Sequence, residues 1–151
     1  MSDLPIEIRR AVPDDTAFVL SAWMRALTNQ KHYGPEMEAD DLWLVAMQGL
    51  VRLTLMQAPC YIAHRPGHPD QAYGFVVAED RPVNPVLHWV YVKHINRRER
   101  VATRLLQHAI AGFGDRNVHA PFMSDAFERN RSRWRLHHRP DRLHGLMPQS
   151  E

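Results

Sequence analysis

Val86-Leu87-His88-Trp89-Val90-Tyr91-Val92-Lys93-His94-Ile95-Asn96-Arg97-Arg98-Glu99-Arg100-Val101-Ala102-Thr103-Arg104-Leu105-Leu106-Gln107-His108-Ala109 carries two different periodicities in one stretch. Val86 to Val92 is rich in aromatic and β-branched residues, the composition of a strand that packs into a core. From Val101 the apolar residues Val101, Leu105, Leu106, Ala109 and Ile110 return at three- and four-residue intervals, which predicts a helix ending near Gly112 or Gly114. The turn between them holds Arg97, Arg98 and Arg100 around Glu99. A helix opens with amides that have no intrahelical partner and lie at the positive end of its dipole, so such a turn suits an anion. The plainer reading is a basic turn with Arg98 and Arg100 in solvent.

Reading outward, Ile6-Glu7-Ile8-Arg9 alternates like a half-buried strand. Pro13-Asp14-Asp15 opens a helix to about Asn29, with Pro at its start and acids at the dipole's positive end. Val12 is a poor N-cap for it. Phe18, Leu20, Trp23, Met24 and Leu27 form its apolar face. A break at Lys31 to Pro35 leads to a second helix from near Glu38 to Gln57, which has more than one apolar face and ends at Pro59. Strands follow at Cys60 to His64 and Ala72 to Glu79, joined by a turn over Arg65 to Asp70. Val86 to Val92 is the third of this run. Beyond the central helix come a strand near Asn117 to Phe122, a helix near Asp125 to Arg133 and a last strand at Trp134 to His138. Three successive short strands favour an antiparallel meander, and a strand-helix-strand unit favours a parallel crossover. The expected architecture is one α/β domain over residues 1–151, with a core at about 6–138 and a basic tail at about 139–151.

The Val86 to Ala109 stretch resembles the strand-turn-helix signature of the GNAT (Gcn5-related N-acetyltransferase) superfamily. In that family an apolar-aromatic-apolar strand end meets an Arg/Gln-x-x-Gly-x-Gly/Ala turn. Ile8-Arg9-Arg10-Ala11-Val12-Pro13-Asp14-Asp15 likewise looks like the family's first strand and helix start. The resemblance implies a GNAT-like mixed, mostly antiparallel central sheet flanked by helices. It also implies an acetyl-coenzyme A-dependent N-acyltransferase acting on an amine. Coenzyme A pyrophosphate would lie on Arg97, Arg98, Arg100, Val101, Ala102 and Thr103, and the pantetheine arm along Val90, Tyr91 and Val92. The family's central glycine falls at Arg100, and a second common glycine at Arg98. Arginine keeps the amide but adds bulk and charge, which either assists a phosphate or blocks it.

Acyl transfer needs a base for the amine, and two candidates stand near the third strand. His88 has an imidazole suited to that task, although a side chain on the sheet's outer face is the competing reading. Glu79, at the end of the preceding strand, is the second candidate, against a merely solvated strand end. The family's late tyrosine acid has no counterpart, because no tyrosine follows Tyr91. Ser124, His119 or a water would have to replace it. The acceptor pocket is expected from the loops at Lys31 to Ala39 and Val83 to Pro85. These departures support a second reading, a GNAT-like structural or interaction module without catalysis and with a protein partner. Compact chains of this style also resemble open reading frames of phage genomes, which implies a virion-associated or host-modulating role.

Composition sets the outer limits. A chain of 151 residues, 44% hydrophobic and 24% charged, can bury a core. A single cysteine, Cys60, excludes an internal disulfide framework and is expected as a buried thiol at a strand start. No apolar run is long enough to span a bilayer, and the N-terminal residues lack a basic head and a hydrophobic signal core, so the expected location is the cytoplasm. The net charge is +2 with His neutral, yet Arg129, Arg131, Arg133, Arg135, Arg139 and Arg142 crowd one stretch. That cluster is either solvated surface or a nucleic-acid contact. The histidines at 137, 138 and 144 do not complete a metal site, because adjacent histidines on an extended segment point to opposite faces. No metal is expected.

Overall fold

In a computed structural model of the chain, residues 4–28, 41–97, 99–122 and 125–140 are described. The elements are β1 (Glu7–Arg10), α1 (Thr16–Thr28), α2 (Asp41–Gln57), β2 (Cys60–Arg65), β3 (His68–Glu79), β4 (Val86–Val92), α3 (Val101–Ile110), β5 (Val118–Ala120), α4 (Asp125–Asn130) and β6 (Leu136–His138). They form one six-stranded sheet in sequence order. β1 through β4 are antiparallel to their neighbours, and β4–β5 and β5–β6 are parallel. The expected mixed α/β architecture is observed.

Two cores form on opposite faces of the sheet. Trp23, Leu27, Val51, Ile62, Phe75, Val77 and Trp89 pack beneath α1 and α2. Val76, Ala78, Leu87, Val90, Val101, Leu105 and Leu106 pack beneath α3. Along the inner part of β3, Phe75 and Val77 face the first core and Val76 and Ala78 the second, as strand alternation requires. Cys60 is buried in the first core, and that burial pushes its thiol up to about 12.

Three boundaries differ from the sequence reading, each for a local reason. The first helix opens as a 3-10 turn over Pro13–Asp15. Val12 has no capping side chain, but the Asp15 carboxylate accepts its N–H at 2.8 Å. Arg9 clamps that carboxylate at 2.7 and 2.9 Å and also reaches the Pro69 carbonyl at 3.0 Å. The β2–β3 hairpin is longer than expected because β3 begins at His68, and its first residues are exposed and polar. Such a ladder has no apolar pattern to betray it. The fourth helix stops at Asn130, and Arg135 takes a left-handed φ of 53° before β6.

Gly74 faces Val92 across the β3–β4 ladder, and a Cβ there would overlap the Tyr91 carbonyl oxygen. Backbone cannot yield as a flexible side chain can. Gly74→Ala is therefore expected to destabilise the fold by about 1–3 kcal/mol, read as a lowered urea midpoint at unchanged slope.

Candidate functional site

β4 is paired with β3 along its whole length but touches β5 at one position, Val86 opposite His119. His119 N–H also donates to the Pro85 carbonyl at 2.9 Å. Past that point the β4–β5 ladder ends, and among the described residues no strand pairs with the β5-side edge of β4. The phase of the ladder shows which groups face the opening. Lys93 N–H donates to Tyr73 O at 2.8 Å, and Tyr73 lies directly opposite Lys93 in the register. Hydrogen-bonded pairs recur every second residue, so the main chain of Tyr91 also faces β3. The N–H and C=O of Val90 and Val92 face the opening. The Val92 carbonyl accepts Arg97 Nε at 3.1 Å. Of the three strand residues expected there, two turn their polar groups outward and Tyr91 does not. Tyr91 instead packs its ring on Phe75, with centroids 5.5 Å apart.

Where that ladder ends, β4 carries an extra residue. Val77 pairs with Trp89 and Ala78 with Leu87, leaving His88 bulged out of the register. A bulge re-aims a side chain and bends its strand. Leu87 and Ala78 belong to the α3-side core, so Glu79, the next residue on β3, points to the α1–α2 face. His88 meets it there, with Nε2 2.8 Å from Glu79 Oε1. The His88 side chain has no solvent exposure, and Glu79 keeps 16%. Neither competing surface position is found: the His88 side chain is fully buried, and Glu79 is largely enclosed at the strand end.

Arg81 completes the cluster by donating to the same Glu79 oxygen at 2.9 Å. Sequence reading missed Arg81, and the available signal was an arginine two residues beyond a strand-end glutamate. Arg116 then fastens this turn to the end of the α3 segment through Asp80 at 2.6 Å, Arg81 O at 3.1 Å and Phe113 O at 3.0 Å. Burial by itself would raise the Glu79 carboxyl, but the His88 and Arg81 contacts outweigh it and bring it down to about 2. Glu79 is therefore ionised at neutral pH and too weak a base to hold a proton there.

That shift predicts an acid dependence. The ordinary carboxyl value is 4.5, so the ionised Glu79 contributes stability that is complete above about pH 4.5. It is lost as the pH falls toward 2. Glu79→Gln should lose about 2–3 kcal/mol at neutral pH and show a shallower fall in stability over that window, measured by denaturation at a series of pH values.

The helix after the opening starts in an unusual conformation. Arg100 is the N-cap of α3 with φ 62° and ψ 21°, in the left-handed region, and makes no side-chain cap. This is the position where the family resemblance places glycine, and the backbone still takes the shape that glycine favours. The Arg100 side chain is exposed. The first intrahelical bond runs from Arg104 N–H to Arg100 O at 3.1 Å. The amides of Val101, Ala102 and Thr103 precede it and have no intrahelical acceptor. Val101 is buried, while Ala102 and Thr103 are half-buried.

His119 is buried on β5 at the pair where the β4–β5 ladder ends, and Val83 in the β3–β4 loop is exposed. Arg98, Ser124 and the Lys31 to Ala39 loop lie outside the described residues, as do Arg142 and His144. Arg129, Arg131, Arg133, Arg135 and Arg139 are exposed. Arg131 and Arg133 lie over the Phe127 and Trp134 rings at 5.6 Å each, and Arg135 donates to Gly114 O. Among the described residues no group of three metal-ligating side chains gathers. No helix there is long and apolar enough to cross a membrane.

No protein-family model matches the chain, and no curated protein matches it. Solved structures do. A GCN5-related N-acetyltransferase of Rhodopseudomonas palustris superposes with a TM-score of 0.60 at 17% identity, covering 88% of this chain and 82% of the other. A Corynebacterium glutamicum structure described as histone acetyltransferase HPA2 and related acetyltransferase gives 0.58 at 16% identity, covering 88% and 83%. A GNAT family acetyltransferase of Brucella melitensis, solved in complex with acetyl-CoA, gives 0.55 at 18% identity, covering 83% and 80%. Identities this low speak for architecture alone, and the architecture of this chain is the GNAT fold.

Proposed function

We propose that the chain is an acetyl-coenzyme A-dependent N-acyltransferase acting on an amine. The observation that carries this reading is the end of the β4–β5 ladder beside the uncapped start of α3. The outward N–H and C=O of Val90 and Val92 suit the amides of a pantetheine arm, which would add to β4 as a short strand. The amides of Val101, Ala102 and Thr103 suit a pyrophosphate, with Arg97, Arg98 and Arg100 supplying charge around it. The Brucella melitensis structure holds acetyl-CoA, which favours the same ligand class here.

The thioester supplies an activated acyl carbon. The amine nitrogen bonds to that carbon, the C–S bond breaks, and the leaving thiolate takes a proton from water. The amine must also lose a proton, and His88 is its acceptor in this reading. Glu79, ionised and clamped by Arg81, accepts from Nε2–H. The neutral ring then carries its basic lone pair on Nδ1. Glu79 is thus a positioning residue for His88.

A second reading, a GNAT-fold interaction module without catalysis, is favoured by the complete enclosure of the His88 side chain. Nothing in the compared structures bears on a virion-associated role or on nucleic-acid binding by the Arg129 to Arg142 cluster. Calorimetry with acetyl-coenzyme A, followed by an amine panel, separates the two readings. The transferase reading expects micromolar binding that survives Arg100→Gly, and turnover of at least one amine class. Binding without turnover across the panel would favour the module. Absence of binding in both the natural chain and Arg100→Gly would remove the transferase reading.

A further inference from the structure

α2 is apolar on two opposite sides. Its inner side carries Val51 and Thr54, both fully buried, with Met47, Leu50 and Leu55 half-buried against the α1 side of the core. Its outer side carries Leu42, Val45, Ala46, Gly49, Leu53 and Met56. Of these, Leu42 is 80% exposed, Val45 67%, Leu53 42% and Met56 80%. At 100° per residue all six fall within one stripe about 100° wide, centred opposite Val51. A helix with only solvent outside it would be polar there.

The order of residues along this stripe says what covers it. Leu42 and Met56 are each seven residues from Gly49, and Val45 and Leu53 are each four residues from it. The large apolar side chains are therefore distributed symmetrically about a glycine. A two-fold axis demands that residue i of one copy meet residue j of the other while j meets i. Two α2 helices laid antiparallel, with the axis at Gly49, set Leu42 against Met56 and Val45 against Leu53, twice each. Outside its own helix backbone, no atom of the described residues lies within 4 Å of where a Gly49 Cβ would be. Nothing among the described residues therefore asks for glycine, although it costs a helix interior about 0.5–1 kcal/mol relative to alanine. At the crossing point of two helices it lets the backbones approach closely. Arg52, Gln48 and Gln57 are exposed and flank the stripe, giving the polar rim that interfaces carry.

We infer that two copies of this chain associate through the outer face of α2 about a two-fold axis at Gly49. Four large side chains at these exposures present several hundred Å² per copy, and the two copies together approach the ~1,000 Å² that a specific interface needs. α3 packs on the opposite face of the sheet, so this pairing does not cover the start of α3. The inference is independent of the transferase reading.

Sedimentation velocity on the full chain tests it. The natural chain should sediment as a dimer. Val45→Glu should weaken association by about 100-fold or more, because each copy then buries an unpaired charge. Circular dichroism should not change, since the position is exposed, and melting should fall only by the stabilisation that association supplies to the natural chain. Mixing Val45→Glu with Leu53→Lys should restore dimers in a one-to-one ratio, because those positions face each other across the axis. Gly49→Cys should give a covalent dimer under mild oxidant, with the buried Cys60 taking no part. A monomeric natural chain would overturn the inference. So would dimers that persist in Val45→Glu, or a mixture that fails to pair while Gly49→Cys stays monomeric.

Discussion

Replacing His88 with glutamine should lower the rate of acyl transfer by about 10²–10⁴-fold, the range lost when a positioned general base is removed. Acetyl-coenzyme A affinity should not move, because the groups proposed to hold the cofactor are main chain on β4 and α3 and the arginines of the turn between them. Glutamine can still donate to Glu79 and occupies a similar space. The folded state should therefore persist, which melting would show. The decisive readout is the pH profile. With His88 present the rate should rise through a limb set by the imidazole, and in His88→Gln that limb should vanish. An equal loss at every pH would mean that His88 only holds the bulge. Glu79→Gln should reduce the rate less and keep the limb, as expected of a residue that acts through another.

Trp23→Ala should cost about 3–5 kcal/mol, the largest stability effect expected from a single side chain here. Trp23 has no exposure. Its ring stacks on Trp89 at 6.0 Å with an interplanar angle of 17°, and Phe122 meets both rings edge-on at 5.9 and 5.7 Å. This aromatic group joins α1, β4 and the segment after β5, so its loss leaves a cavity bounded by three separate elements. Trp89 is the residue after the His88 bulge. Urea unfolding should show the lowered midpoint, and near-ultraviolet circular dichroism should show whether Trp89 keeps its fixed surroundings. A cost below about 1 kcal/mol would mean that the core collapses into the gap.

The sequence made β4 and α3 readable because their apolar periods differ and each is pure. Val86 to Val92 was placed to the residue, and α3 begins at the first residue of its pattern. The antiparallel run of β2 to β4 and the parallel crossover to β5 followed from the same patterns, whereas the places of β1 and β6 in the sheet did not. The site was less readable for a physical reason. A bulge leaves no mark on composition, so nothing in Val86-Leu87-His88-Trp89 shows that His88 falls outside the register and turns toward Glu79. The same register decides that Val90 and Val92, and not Tyr91, turn their amides outward. Arg100 is a different case: the motif asked for glycine, and the chain keeps the left-handed backbone with a side chain that does not favour it. The outer face of α2 was visible only as a surplus of leucine and methionine, since periodicity does not say which of two apolar faces is inside. The Lys31 to Ala39 stretch, expected to take part in the acceptor pocket, falls outside the described residues.

Amide nuclear magnetic resonance during a coenzyme A titration addresses the site most directly. The amides of Val90 and Val92 on β4, and of Ala102 and Thr103 at the start of α3, should shift together and saturate at one affinity. Tyr91, whose amide is already bonded to β3, should move little. Shifts confined to exposed arginines such as Arg129 and Arg131, with these four amides unmoved, would contradict the account.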